Sequence, residues 1–343
     1  MERAALVAHA RETIAKGSKS FAAASHLFDP VTRERVWLLY AWCRAADDLA
    51  DAQELGGTLG DQAGAAERLA RIRDLTARAL AGEATGDPSF DCLGVVAREC
   101  GLTEAMAEDV IAGFALDAAD WRPASEEDLL RYCYHVAGAV GVMMAAVMGV
   151  PAGDEDTLDR ACDLGLAFQL ANVARDVAED HAAGRCYLPG EWLAEAGIAE
   201  AALMEPQHRA ALVGMVAQLC GRAAEYEASA RVGAARLAPR QRWAVLSAAG
   251  IYGAIGRKVA ETGGAAWDRR IGTSAGEKLG FVLRAGWQSL RKGPMAAPSP
   301  RPSRRELTSA VRPQADACPG GEGGGTSGRS RSTASAAGSP PRR

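Results

Sequence analysis

The sequence predicts an all-α protein, and three observations carry that expectation. Alanine is abundant and β-branched residues are sparse over the first 290 positions, a bias that favours helices over strands. Apolar residues recur three and four apart, as in Leu38, Leu39 and Trp42 or in Leu164 and Phe168, which is the period of one helical face. Pro30, Pro88, Pro123, Pro151, Pro189, Pro206 and Pro239 each fall between such segments, where a fixed φ and a missing N–H do least harm. Neither an alternation of period two nor a repeat of fixed length competes with this pattern.

Residues 1–290 read as a single domain, and a hydrophobic content of 48% is enough for a sizeable core. From 291 to 343 the composition changes to proline, glycine, serine and arginine, with a Gly-Gly-Glu-Gly-Gly-Gly run and almost no large apolar residues. Such a segment cannot bury enough surface to offset its ordering entropy, so 291–343 is expected to be a disordered basic tail. A weak anchor to anionic lipid is the alternative role for it.

The formal net charge of −4 implies no broad basic surface for nucleic acid. The chain has 8 cysteines, none in a Cys-x-x-Cys pair and none clustered with histidine, which speaks against zinc. Most sit in apolar helical patterns as reduced thiols, consistent with a cytoplasmic location. The N-terminus lacks the basic and apolar regions of an export signal. The uncharged stretch Val136–Gly153 approaches membrane-spanning length, but its glycines and Pro151 point to a buried core helix instead.

The sharpest features are two acidic segments. In Arg44-Ala-Ala-Asp47-Asp48-Leu-Ala-Asp51 the outer aspartates are four apart and share a helical face with Tyr40 and Arg44. In the second segment Asn172, Asp176 and Asp180 are spaced four and four, with Gln169 one turn before them. A solvated face is the bland explanation for charge on a helix. Against it, carboxylates at i and i+4 repel, and the flanks Tyr-Ala-Trp-Cys and Leu-Gly-Leu-Ala-Phe are apolar. Acids in such surroundings call for a cation. With no Cys/His set present, it should be a hard, oxygen-loving ion such as magnesium, which takes one or two carboxylates plus water and phosphate.

These segments resemble the two Asp-x-x-x-Asp motifs of the squalene and phytoene synthases. The second is followed, as in that family, by Gly184-Arg185-Cys186-Tyr187-Leu188-Pro189. Gly17-Ser18-Lys19-Ser20-Phe21 resembles the family's Ser-Lys-Ser-Phe segment, and Tyr132-Cys-Tyr-His-Val-Ala-Gly138 its Tyr-Cys-Tyr-x-Val-Ala-Gly block. Tyr252 and Ala-Trp267-Asp268-Arg269-Arg270 extend the likeness, and the wording is closest to the bacterial, phytoene-forming members. The resemblance implies an antiparallel helical bundle around a central cavity, with the two acidic helices facing each other at its mouth. It implies a magnesium-dependent prenyltransferase, with manganese as an alternative ion, joining two geranylgeranyl diphosphates head to head into phytoene, the first committed step of carotenoid biosynthesis. Peripheral membrane contact for product release is a further expectation.

Residue roles follow from the same resemblance. Asp47, Asp51, Asp176 and Asp180 are expected to hold the ions with help from Asn172, and Asp48 and Glu179 to stand behind them. Arg44 is expected to clamp diphosphate, with Ser18, Ser20, Gln169 and Arg270 as further substrate contacts. Tyr40, Tyr132, Tyr187 and Tyr252 would turn rings or hydroxyls toward cation or diphosphate, Tyr132 as a catalytic group and the others as binding ones. Phe21, Val136, Ala137, Gly138, Gly141 and Met144 are candidates for an apolar cavity wall that excludes water from carbocations. His135 reads as structural. Relatives that use the shorter farnesyl chain can carry an aromatic residue at the position matching Ser25, so a small side chain there suits a longer substrate.

Two other readings stay open at this level. Squalene, dehydrosqualene and hydroxysqualene synthases share the early steps on farnesyl diphosphate; the absence of a Gly-x-Gly-x-x-Gly loop outside the glycine-rich tail makes NADPH use unexpected here. A non-catalytic prenyl-binding or assembly protein is the second, disfavoured by the presence of all four aspartates.

Overall fold

Proline and short polar residues set where the helices begin. In the computed structural model, which describes residues 1–53, 60, 64–291, 300 and 302–308 apart from the side chains of Lys19 and Ser20, the chain forms α1 (Arg3–Gly17), α2 (Lys19–Ser25), α3 (Pro30–Ala50), α4 (Ala65–Leu80), α5 (Pro88–Cys100) and α6 (Glu104–Ala118). There follow α7 (Glu126–Cys133), a π-helical turn (Tyr134–Gly138), α8 (Ala139–Val147), α9 (Glu155–Ala182) and α10 (Gly190–Glu195). The last are α11 (Arg209–Ala234), α12 (Pro239–Thr262), α13 (Ala275–Ser289) and α14 (Arg304–Leu307). No strand occurs among the described residues, as the composition predicts. Pro30, Pro88 and Pro239 each open a helix, where the lost N–H would have no partner. Asp29 accepts from the backbone of Val31 and Thr32, and Ser125 forms a capping box with Asp128, satisfying donors that a helix start leaves free.

The 28-residue α9 is the axis of the bundle. It packs against α11, α12, α8 and the π turn, while α3 packs against α1 and α5. Two glycines permit the closest of these approaches. A Cβ on Gly141 would lie 2.4 Å from the Ala161 carbonyl oxygen, and one on Gly165 would lie 2.3 Å from that of Ala137; no side chain fits at either place. The π turn falls within the predicted Tyr-Cys-Tyr block. It is fixed by the Tyr134 hydroxyl, 2.6 Å from Asp109, and by His135 Nδ1, 2.8 Å from the Asp109 carbonyl oxygen. His135 is therefore structural. The stretch Glu126–Val147 is long and apolar enough to span a membrane, yet most of it is buried within the bundle, in keeping with a core helix.

Residues beyond the expected boundary at 290 also pack with the bundle. The compact unit extends through Met1–Ala310, because Ser303–Leu307 returns to the bundle. Leu307 is 1% exposed and belongs to the main core. Arg304 donates to Asp159 at 2.7 Å and also pairs with Glu155, both on α9. One leucine in a run of prolines and arginines was too slight a signal to separate this short helix from the rest of the tail. Residues 292–299, 301 and 309–343 lie outside the described part of the chain.

Deleting a fully buried leucine side chain costs about 2–5 kcal/mol, so Leu307→Ala should lower stability by that order in chemical denaturation. Truncation after Ala310 should leave the midpoint unchanged, whereas truncation after Arg291 should reproduce the loss. Equal midpoints for all three proteins would show that the returning segment contributes nothing.

Candidate active site

A cavity of about 470 Å³ runs through the bundle. Its wall is mostly apolar and includes Phe21, Phe28, Leu39, Phe114, Val136, Ala137, Val140, Gly141, Met144, Leu164 and Phe168. Of the predicted wall residues only Gly138 is absent. A Cβ there would meet Leu166 and Cys162 instead, so Gly138 serves helix packing. The α9 side of the wall extends from Thr157 to Asn172, which at 1.5 Å per residue is roughly 22 Å.

The mouth is built at one end of this cavity by Tyr40, Arg44, Asp47, Gln169, Asn172 and Tyr252. Tyr252 stacks on Phe168 with centroids 4.3 Å apart, and Phe21 lies between Tyr40 and Tyr252 at 6.3 and 6.1 Å. Gly17 is required beside them, since a Cβ would come within 2.6 Å of the Tyr40 hydroxyl. Ser18 caps α2 by accepting from the Phe21 N–H at 3.3 Å. The predicted Ser20 contact falls on a side chain outside the described part. The Tyr40 hydroxyl and the Arg44 guanidinium are neighbours, and Tyr40 Oη and Arg44 Nε are buried with no hydrogen bond of good geometry among the described residues, although polar atoms in a protein interior are normally paired. Two such groups at the mouth suit an acceptor-rich ligand such as a diphosphate.

Both acidic motifs sit where helices end. Asp47 and Asp48 occupy the last turn of α3, and Asp51 is its C-terminal cap rather than a residue inside the helix. The Asp51 N–H still bonds to the Asp47 carbonyl oxygen at 3.0 Å, so the expected shared face is kept. Asp176, Glu179 and Asp180 occupy the end of α9, where Gly184 adopts φ +74° and the chain turns so that the Arg185 N–H bonds to the Asp180 carbonyl oxygen at 2.8 Å. A third helix contributes Asp117, from the last turn of α6. Helix C-termini already carry partial negative charge, so each acid adds to an unfavourable field.

Arginines offset part of that charge. Arg44 donates to Asp47 at 2.7 Å, Arg185 to Asp51 at 3.1 Å, and Arg175 to Asp176 at 2.7 Å. Arg270 pairs with Asp176 at 3.3 Å and with Glu179. The compensation is incomplete. Burial pushes the Asp47 carboxyl up to about 6 against the pull of Arg44, with Asp51, Asp48 and Asp117 adding to the rise. Burial pushes Asp180 up to about 7, with Asp176 adding and Arg185 opposing. Asp117 is pushed up to about 6 by burial, against Arg185 and the Tyr187 hydroxyl. Carboxylates held this far from their usual range stabilise a bound cation when they ionise.

Tyr132 and Tyr187 stand beside the acidic mouth rather than in the cavity wall. Their hydroxyls donate to Asp117 at 3.2 and 2.9 Å, their rings stack 4.8 Å apart, and neither lines the cavity. They hold Asp117 beside Arg185. Sequence reasoning missed Asp117; the available signal was a lone acid closing the apolar run Gly-Phe-Ala-Leu. Arg185 and Arg175 lay within quoted motifs without a role.

The donor set of Asp47, Asp51, Asn172, Asp176 and Asp180 is all oxygen, which suits a hard divalent ion. Among the described residues no three Asp, Glu, His or Cys side chains close on one point. Magnesium needs only one or two carboxylates, the remainder of its shell being water and phosphate, so the residues fit it.

An apolar chamber opening on carboxylates and arginines defines a helical enzyme of the prenyltransferase type. The squalene/phytoene synthase family matches residues 14–277. The chain is 48% identical to a phytoene synthase of Pseudescherichia vulneris, covering 85% of this chain and 94% of that one. It is 45% identical to the 15-cis-phytoene synthase of Pantoea ananas, covering 88% and 98%. Among solved structures, a dehydrosqualene synthase in complex with ligand superposes with a TM-score of 0.72 at 29% identity, over 82% of this chain and 96% of that one. This chain belongs to the squalene/phytoene synthase family.

Replacing Asp117 by Ala should leave two buried hydroxyls without an acceptor. At about 1–3 kcal/mol for each unsatisfied group, Asp117→Ala should cost more stability than Tyr132→Phe or Tyr187→Phe. In a double-mutant cycle, each tyrosine substitution should lose most of its effect in the Asp117→Ala background. Simple additivity would show that the three side chains do not act as one unit.

Proposed function

We propose that this enzyme joins two molecules of geranylgeranyl diphosphate head to head through a cyclopropyl diphosphate to phytoene, with magnesium bound between the acidic motifs and no NADPH. The observation that carries this reading is the length of the cavity. Its α9 wall alone is roughly 22 Å, enough for an extended chain of four isoprene units and more than three require. The phytoene synthases with which the chain shares 48% and 45% identity support the same substrate.

Magnesium, when bound, neutralises the diphosphate as it departs. Asp47, Asp51, Asn172, Asp176 and Asp180 would hold it there. Arg44 Nε and the Tyr40 hydroxyl, both buried with no hydrogen bond of good geometry among the described residues, would donate to diphosphate oxygens. Arg270, bonded to Asp176 and Glu179 at the end of α9, is positioned to transfer a donor to an arriving diphosphate. The departing group leaves an allylic cation, which the 2,3-double bond of the second chain attacks. Phe21, Phe168 and Tyr252 present ring faces along that part of the wall, where a cation gains electrostatic stabilisation and water is excluded. After the second ionisation and rearrangement, loss of one proton gives the conjugated triene, with released diphosphate as acceptor. A cytoplasmic location with peripheral membrane contact accords with thiols that are free and buried or half-buried among the described residues, and with lipid substrates.

Ser25 supports the longer substrate. It lines the cavity, is 1% exposed, and its hydroxyl donates to the Ala22 carbonyl oxygen at 2.7 Å and accepts from Trp37 Nε1 at 2.9 Å. It is both a packed structural residue and part of the wall.

Chelation of divalent ions should abolish turnover of geranylgeranyl diphosphate, and Asp51→Asn or Asp176→Asn should each reduce it at least about a hundredfold. Near-normal rates in either variant would remove the acidic motifs from the reaction. Ser25→Phe should lower kcat/KM for geranylgeranyl diphosphate relative to farnesyl diphosphate by roughly 5- to 150-fold, the equivalent of about 1–3 kcal/mol of overpacking. An unchanged ratio in a folded variant would free chain length from this position.

A further inference from the structure

Few large apolar side chains are exposed among the described residues, and three of them lie on α13 with a fourth at its C-terminal cap. Leu279, Leu283, Trp287 and Leu290 are 59%, 64%, 55% and 83% exposed. At 100° per residue they form one narrow stripe along the helix and its C-terminal end. The opposite face is fixed to the bundle. Ala285 and Ser289 are buried, Phe281 packs against Gly250, and Trp243 Nε1 donates to the Val282 carbonyl oxygen at 2.8 Å. The helix is therefore anchored by its inner side and presents its apolar stripe outward.

The border of the stripe is basic. Arg284 and Arg291 are exposed along its Trp287 edge, and the Arg291 guanidinium stacks 3.4 Å over the Trp287 ring. The one acid in α13, Glu277, bonds to Lys258 and to the Ser274 N–H, so α13 itself presents no unpaired carboxylate. Leucines, an interfacial tryptophan and flanking arginines on one face are the composition of a helix that lies in a bilayer surface.

We infer that the α13 stripe is a docking surface for an anionic lipid bilayer. The inference rests on the proposed reaction, whose substrates are lipids and whose product is a hydrocarbon without a polar head. Arginines beside the stripe complement anionic headgroups. A stable dimer needs roughly 800 Å² from each partner, more than four side chains on one helix offer, so a second copy suits the stripe less well. Position agrees: α13 packs directly on α12, whose Ala244, Ala248 and Tyr252 line the cavity. The docked surface and the reaction chamber are thus opposite sides of one two-helix layer.

The test is co-sedimentation of the full-length protein with vesicles of phosphatidylcholine, with and without about one quarter phosphatidylglycerol. Wild type should bind the anionic vesicles. Leu283→Glu/Trp287→Glu should weaken binding at least about tenfold, and Arg284→Gln/Arg291→Gln should remove the preference for anionic over neutral vesicles. Turnover in detergent micelles should be unchanged in both, since none of the four residues lines the cavity. Leu279→Gln/Leu290→Gln serves as a milder pair if the acidic variant melts early, and should also weaken binding. Wild type that stays in the supernatant, or acidic variants that bind as wild type does, would overturn the inference. So would light scattering that shows a wild-type dimer broken by the acidic pair. Loss of the proposed reaction in detergent with vesicle binding intact would remove the reaction and leave the surface standing.

Discussion

The structure turns on an electrostatic conflict: α3, α6 and α9 all end in carboxylates, and all three ends meet at the mouth of one cavity. Each helix brings the partial negative charge of its unpaired carbonyls to the same place, and Asp47, Asp51, Asp117, Asp176 and Asp180 add full charges to it. No fold gains stability from that arrangement alone. Arg44, Arg175, Arg185 and Arg270 are the part of the answer built into the chain. Burial, with neighbouring carboxylates adding to it, raises the titration of Asp47, Asp117 and Asp180 in spite of these arginines. The mouth is thus prepared for added positive charge, which in the proposed reaction a hard divalent ion carrying a diphosphate would supply. Stability given up at a site in this way is common where function needs it.

The cavity beyond the mouth meets the opposite demand. A carbocation needs a dry wall, and the close crossing of α8 and the π turn on α9, at Gly141 and Gly165, keeps helix backbones tight along that wall. The π turn at Tyr134–Gly138 shifts the register between α7 and α8, so that Val136 and Ala137 face the chamber while Tyr134 and His135 anchor to α6 through Asp109. A π turn within a helix marks a functional site often enough, and here its effect is to aim small apolar residues inward.

Much of this was legible in the sequence. Proline positions marked helix starts at Pro30, Pro88 and Pro239 because proline has one tolerated place in a helix. The two acidic segments stood out because like charges at i and i+4 are unfavourable without a partner. What could not be read depends on tertiary contact. Asp117 is single, and only the fold brings Tyr132 and Tyr187 to it across 15 and 70 residues of sequence. Spacing alone does not tell that both hydroxyls point to Asp117. Arg185 lies 134 residues from Asp51. Leu307 returns to the core from within a segment whose average composition gives no sign of burial.

The central claim is that the three acidic helix ends form one cation and diphosphate site. A crystal structure with manganese and a non-hydrolysable prenyl diphosphate analogue tests it most directly. The account predicts anomalous density between the ends of α3 and α9, within bonding reach of Asp47 or Asp51 on one side and Asp176 or Asp180 on the other, with the diphosphate beside Arg44 and Tyr40. Manganese bound elsewhere, or an analogue seated with its diphosphate away from this mouth, would contradict it.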